Sequence, residues 1–149
     1  MADHHLAQLN VARLLAPTDS PIVADFMANL EPVNALAEAA PGFVWRLQTE
    51  AGDATSVRVD DDDLIIVNMS VWQSAERLHD YAYRSDHRLV LARRKEWFEP
   101  AVESHLVLWW VGVGHLPSVE EAMERLTLLR SSGPSADAFT FKAPFPPPG

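Results

Sequence analysis

A histidine on an apolar helical face is the residue of this chain best placed to do chemistry. His87 begins a stretch in which His87, Val90, Leu91, Arg94 and Trp97 or Phe98 recur at helical spacing, so its imidazole is expected to point inward. An inward neutral imidazole can serve as a general base, a proton donor or an axial haem ligand. It can equally be a core group bonded to a backbone carbonyl. Asn10, Asn68, Ser70 and Trp72 are polar or amphipathic groups on strand-like stretches. If the faces of Asn10 and Asn68 coincide, they line one cavity with Trp72 and Trp45. Apolar walls with a few convergent polar groups are what a small-molecule pocket requires. The structural alternative is buried amides bonded to their neighbours and tryptophan as core filler. Tyr83, one turn before His87, and Trp109, of the Trp109-Trp110 pair, complete the expected ligand-binding set.

Other charged and imidazole groups are weaker candidates. Arg46 and Arg84 carry the forked guanidinium that holds a carboxylate through two hydrogen bonds. The run Arg93-Arg94-Lys95 reads as a solvated helix face paired with Glu96 and Glu99. His79, Tyr83 and His87 are spaced by four, but no carboxylate completes a metal set, so no metal site is expected. His4, His5, His105 and His115 are read as carrying no function. The spacing in Asp60 to Asp63 lacks the glycine and terminal glutamate of a calcium loop and reads as a solvated turn. No G-x-S-x-G, Walker loop, G-x-G-x-x-G or H-E-x-x-H occurs.

The elements that must position these groups follow from periodicity. His5 to Leu14 alternates as a strand, with Leu6, Gln8, Asn10 and Ala12 on one face. Ser20-Pro21 starts a helix that runs to Ala40, with a kink or a break expected at Pro32. Phe43 to Glu50 reads as a strand with Phe43, Trp45 and Leu47 on one face, and Thr55 to Val59 can pair back onto it. Leu64 to Trp72 is a nearly continuous apolar strand. Ser74 caps a helix that breaks at Ser85 or Asp86 and restarts at His87. His105 to Val113 is the last central strand. Ser118-x-x-Glu121 is a capping box for a final helix ending at Gly133-Pro134. Ala138 to Lys142 reads as a short edge strand. Residues 1–142 form one domain on this reading, and 143–149 a proline-rich tail that is extended or disordered. The order is the β-α-β-β-α-β plan of the ferredoxin-like α+β class with an extra C-terminal helix. One layer of helices covers one sheet face, so a second copy is expected on the open face, giving a homodimer with sheet packed on sheet.

Composition narrows the partners. The chain has 149 residues, a formal charge of −9 and 48% hydrophobic residues, as expected for one globular domain. An acidic balance argues against nucleic acid and against an anionic membrane surface. The absence of cysteine removes disulfide, thiolate–metal and thiol-nucleophile chemistry and fits a cytoplasmic location. Neither a signal peptide nor a bilayer-spanning run is seen.

Several stretches in order resemble the bacterial domain of unknown function 3291 family: LAQLNVARL, VNALAEAAPGFVWRLQ, VNMSVW, YRSDHR with RRKEWF, LVLWWV, and GHLPSVEEA with AFTF. The resemblance covers roughly residues 6 to 145. It implies a dimeric α/β barrel in a wider group that includes cofactor-independent antibiotic-biosynthesis monooxygenases and haem-degrading enzymes. In the latter a helix histidine binds iron. In the monooxygenases a histidine near this place lines the cavity, and flat aromatic substrates lie near Asn and Trp side chains. The resemblance therefore implies a small-molecule pocket with no cofactor, or with haem on His87. A non-catalytic ligand-holding or stress-type dimer is the alternative.

Overall fold

The computed structural model describes residues 3–48, 62–85, 87–101 and 103–148. Its centre is a four-stranded antiparallel sheet in the order β2-β3-β1-β4. The strands are β1 (His4–Arg13), β2 (Phe43–Arg46), β3 (Ile65–Trp72) and β4 (Leu106–Gly112). Helices α1 (Ala24–Ala39), α2 (Ala75–Arg84), α3 (His87–Ala92), α4 (Arg94–Trp97) and α5 (Val119–Ser132) join or follow them. This is the ferredoxin-like α+β fold with an added C-terminal helix. The expected pairing of Thr55 to Val59 and the start of the acidic run lie outside the described residues.

Local chemistry explains most boundaries. Ser20 accepts a hydrogen bond from the Ile22 amide at 3.2 Å and opens a 3-10 turn, Pro21–Val23, that leads into α1. The helix then runs unbroken through Pro32, where a break was one expectation. Ser74 caps α2 through the Arg77 amide at 3.2 Å. Gly42 ends the turn before β2 at φ +85°, and a Cβ there would stand 2.5 Å from Cγ of Arg77, so only glycine fits. The segment from His87 to Phe98 is not one helix. It turns at Arg93 between α3 and α4.

Register decides which side chains share a face. Leu6 faces Trp72, Gln8 faces Ser70, Asn10 faces Asn68 and Ala12 faces Ile66 across the β1–β3 pair. These residues look toward α1 to α4. Leu6, Trp72 and Leu108 pack there with Ala37 and Leu78, and Leu14 and Ile66 pack with Val23 and Trp97. The opposite face carries Ala7, Leu9, Val11, Val67, Met69, Val71, Val107, Trp109 and Val111.

That second face is not bare. Ala122, Leu126 and Leu129 of α5 are buried against it. Met69 and Val71, on the same face, are 1% and 0% exposed within one chain. The premise that only a second copy could cover this face therefore fails, because the C-terminal helix folds back over it. Its capping box forms as expected, the Ser118 hydroxyl accepting from the Glu121 amide at 3.1 Å. The segment from Ala138 joins the β4 edge by a single bridge, with paired backbone hydrogen bonds between Leu108 and Phe139 at 2.8 and 2.9 Å. The proline-rich tail is anchored too: Trp110 Nε1 donates to the Phe145 carbonyl at 2.9 Å.

Candidate functional site: a cleft between sheet and helices

Helices α1 to α4 arch over the sheet and leave a cavity of about 230 Å³. Its floor is the β1–β3 pair, and the 2-residue period of the strands puts Gln8, Asn10, Asn68, Ser70 and Trp72 on it. Helical spacing puts His87, Val90, Leu91, Arg94 and Trp97 on its roof. Phe26, Tyr81 and Phe141 add further aromatic wall.

The floor is a hydrogen-bonded chain. Gln8 Nε2 donates to Asn68 Oδ1 at 2.7 Å and to Ser70 Oγ at 2.8 Å, and Trp72 Nε1 donates to the same Oγ at 2.8 Å. Gln8 is 5% exposed and Trp72 0%. The neighbouring amide is different. Asn10 Oδ1 is buried and has no hydrogen-bond partner. An unpaired buried acceptor costs about 1–3 kcal/mol of desolvation.

His87 is set by the break between α2 and α3. The Ser85 hydroxyl donates to the Tyr81 carbonyl and accepts from the His87 amide at 3.2 Å. The ring then lies 3.1 Å, through Nδ1, from the Ala82 carbonyl. A carbonyl only accepts, so Nδ1 carries the proton and Nε2 keeps its lone pair. Burial pushes the His87 pKa below its ordinary value and outweighs the carbonyl contact. The imidazole is therefore neutral at pH 7. Tyr81 lies between two rings, its centroid 5.0 Å from Trp72 and 4.8 Å from His87. Its hydroxyl donates to the Val33 carbonyl at 3.2 Å, and burial raises its pKa.

Of the residues expected at a site, Asn10, Asn68, Ser70, Trp72, Tyr83 and His87 all line this cleft. Tyr83 sits at the rim and is 47% exposed. Trp45 and Trp109 do not line it. Trp109 faces α5, where its Nε1 donates to Glu121 Oε2 at 2.9 Å. It pairs with Ala7, whose side chain is on the opposite face from Leu6 and Gln8. Trp45 is displaced by an irregularity in β2: the register shifts between Phe43 and Trp45, so Phe43 packs beside Trp72 while Trp45 packs on the α5 side. The same shift brings Arg46 opposite Ser70 and into the cleft. Its Nε and Nη2 both donate to Glu38 Oε1, at 3.0 and 2.9 Å. Arg84 is largely exposed and paired with Asp80 at 3.5 Å.

Several contributors escape the reading by residue type, Phe26 and Tyr81 among them. Gln8 shares strand parity with Asn10, a usable signal. Arg94 belongs to the His87 stripe, but a basic run suggested solvent. Phe141 arrives from the far end of the chain, and only the tertiary fold brings it here. Among the described residues no group of three or more His, Cys, Asp or Glu could hold a metal ion, and no helix is long and apolar enough to cross a membrane.

The fold matches SnoaB, a cofactor-independent oxygenase from Streptomyces nogalater, with a TM-score of 0.53 at 18% identity, covering 78% of this chain and 100% of that one. A mutant of the same oxygenase matches at 0.51, with 18% identity and coverage of 78% and 100%. An antibiotic biosynthesis monooxygenase-like protein from Nitrosomonas europaea matches at 0.48, with 13% identity over 79% of this chain and 97% of that one. These likenesses concern the fold. No curated protein matches the chain significantly. The model of a domain of unknown function, DUF3291, matches residues 5–149, and the chain belongs to that family.

Proposed function

We propose that the cleft holds a small, flat, largely apolar molecule and promotes its oxidation by dioxygen in a monooxygenase-like reaction without a cofactor. The observation that carries this reading is the Asn10 amide: a buried oxygen without a partner, on the floor of a cavity walled by aromatic side chains. A ligand hydroxyl donated to Asn10 removes that penalty. The neutral His87 Nε2 is the base that would take that same proton, the Asn10 amide then turning its Nδ2–H toward the oxygen left behind, an electron-rich anion able to reduce dioxygen. For a probe such as 1-naphthol, one oxygen atom enters the ring to give 1,4-naphthoquinone and the other leaves as water.

An oxygen electrode with 1-naphthol and product analysis test this. Consumption of one dioxygen per quinone, without peroxide and lost in His87→Ala, is the expected result. Binding of 1-naphthol with no turnover would leave a ligand-holding protein and remove the enzyme reading. A second reading is haem, which His87 would hold through Nε2 because its Nδ1 is tied to a carbonyl, and whose iron would supply the oxygen chemistry. A Soret band on adding haemin, absent in His87→Ala, would favour it.

We infer also that two copies associate. The partly buried fringe formed by Val44, Trp45, Val119, Met123 and Leu128 supports an interface built from α5 and β2.

A further inference from the structure

We propose that the occupant of the cleft is an aromatic acid whose carboxylate is held by Arg94 while its ring hydroxyl donates to Asn10. The inference rests on the cleft being a ligand site, and it names the class of ligand.

Two observations carry it. The first is the charge of the lining. The chain has 21 acidic against 12 Lys and Arg residues, yet no Asp or Glu is among the described residues that line the cavity. Its ionisable members besides tyrosine are Arg46, Arg94 and His87. Among the described residues the cavity of this acidic protein carries only cationic or neutral groups. Such a cavity repels cations and favours an anion.

The second is the state of the two guanidinium groups. Arg46 is satisfied by Glu38 through two hydrogen bonds. Arg94 is half-buried at the roof and has no carboxylate partner among the described residues. Its guanidinium carbon lies 5.3 Å from the Phe98 ring centroid. His105 lies close enough to feel the Arg94 charge, and a neutral imidazole cannot neutralise it. Arg13 and Arg93, by contrast, are each paired with carboxylates. A guanidinium held against apolar wall without a counter-ion presents its fork to whatever enters. Arg94 is one turn from Trp97 and Phe98, so a planar ring lying against those side chains carries its carboxylate to that end.

The test compares two probes of the same ring system, 1-naphthol and 4-hydroxy-1-naphthoate, whose hydroxyl and carboxylate lie at opposite ends of one ring, by quenching of tryptophan fluorescence at pH 7, where the carboxylate is ionised. The expected result is at least about tenfold tighter binding of the acid, a ratio that Arg94→Gln brings close to one and Arg94→Lys leaves intermediate. The preference should also shrink as salt is raised. A far-ultraviolet melt of each variant checks folding, and Arg94→Lys keeps the test alive if Arg94→Gln unfolds. Equal affinity for the two probes in the unaltered protein overturns the proposal and leaves the neutral-ligand reading standing. A preference that survives in Arg94→Gln overturns it as well and moves the anion to Arg46. Failure of both probes to bind overturns this inference together with the proposed function.

Discussion

The unpaired Asn10 oxygen is worse for the folded chain than an apolar replacement would be, and the buried His87 ring ties stability to pH, which makes both testable by stability as well as by activity. Asn10→Leu removes a buried acceptor without a partner, and leucine suits a half-buried strand position. We expect a gain of about 1 kcal/mol in chemical denaturation together with loss of 1-naphthol binding. A destabilised variant would show that the amide has a structural partner. His87 titrates below its ordinary value of 6.5 because burial disfavours the imidazolium. The unfolded chain then takes up a proton before the folded one as pH falls, so stability declines from about pH 6.5 downward. His105 is depressed in the same direction and contributes to the same limb. His87→Gln should flatten that limb in melts taken between pH 7 and 5, leaving the His105 part. An unchanged pH dependence would mean that His87 is solvated.

Elements, rather than residue types, decided which aromatic groups reach the cleft. Alternation in β1 and β3 correctly puts Asn10, Asn68 and Trp72 on one face, since a long, regular strand preserves parity. The same rule fails for Trp45 because β2 is short and its register slips beside Phe43. Trp109 could not be assigned from the Trp109-Trp110 pair alone, as parity says only that the two point opposite ways. The structure turns Trp109 to α5 and Trp110 to the tail. Trp109→Phe should therefore cost about 1–2 kcal/mol through the lost hydrogen bond to Glu121, read by urea denaturation. Its affinity for 1-naphthol should stay within twofold. A large loss of binding with little loss of stability would return Trp109 to the site.

At the scale of the molecule, α5 replaces part of the cover that a partner was expected to provide, so the proposed association would use the outer side of α5 and β2. Light scattering should give twice the 16.6 kDa chain mass, and Met123→Glu should halve it. A single-chain mass for the unaltered protein at micromolar concentration would remove the dimer. Much of this architecture was legible in the chain itself. Strand parity, the caps at Ser20, Ser74 and Ser118, and the His87 stripe are local patterns, set by backbone periods and by hydrogen bonds a few residues long. They determined the ferredoxin-like order and the strand faces that meet at the cleft. Only the tertiary structure decided that α5 closes the second face, that Arg46 turns inward to Glu38, that Arg94 stands unpaired over an apolar wall, and that Phe141 joins the site. Most of these depend on contacts between segments far apart in the chain, Arg46 reaching Glu38 only through the register of β2 on β3, and on which charges are consumed by partners before a ligand arrives. No local period encodes either.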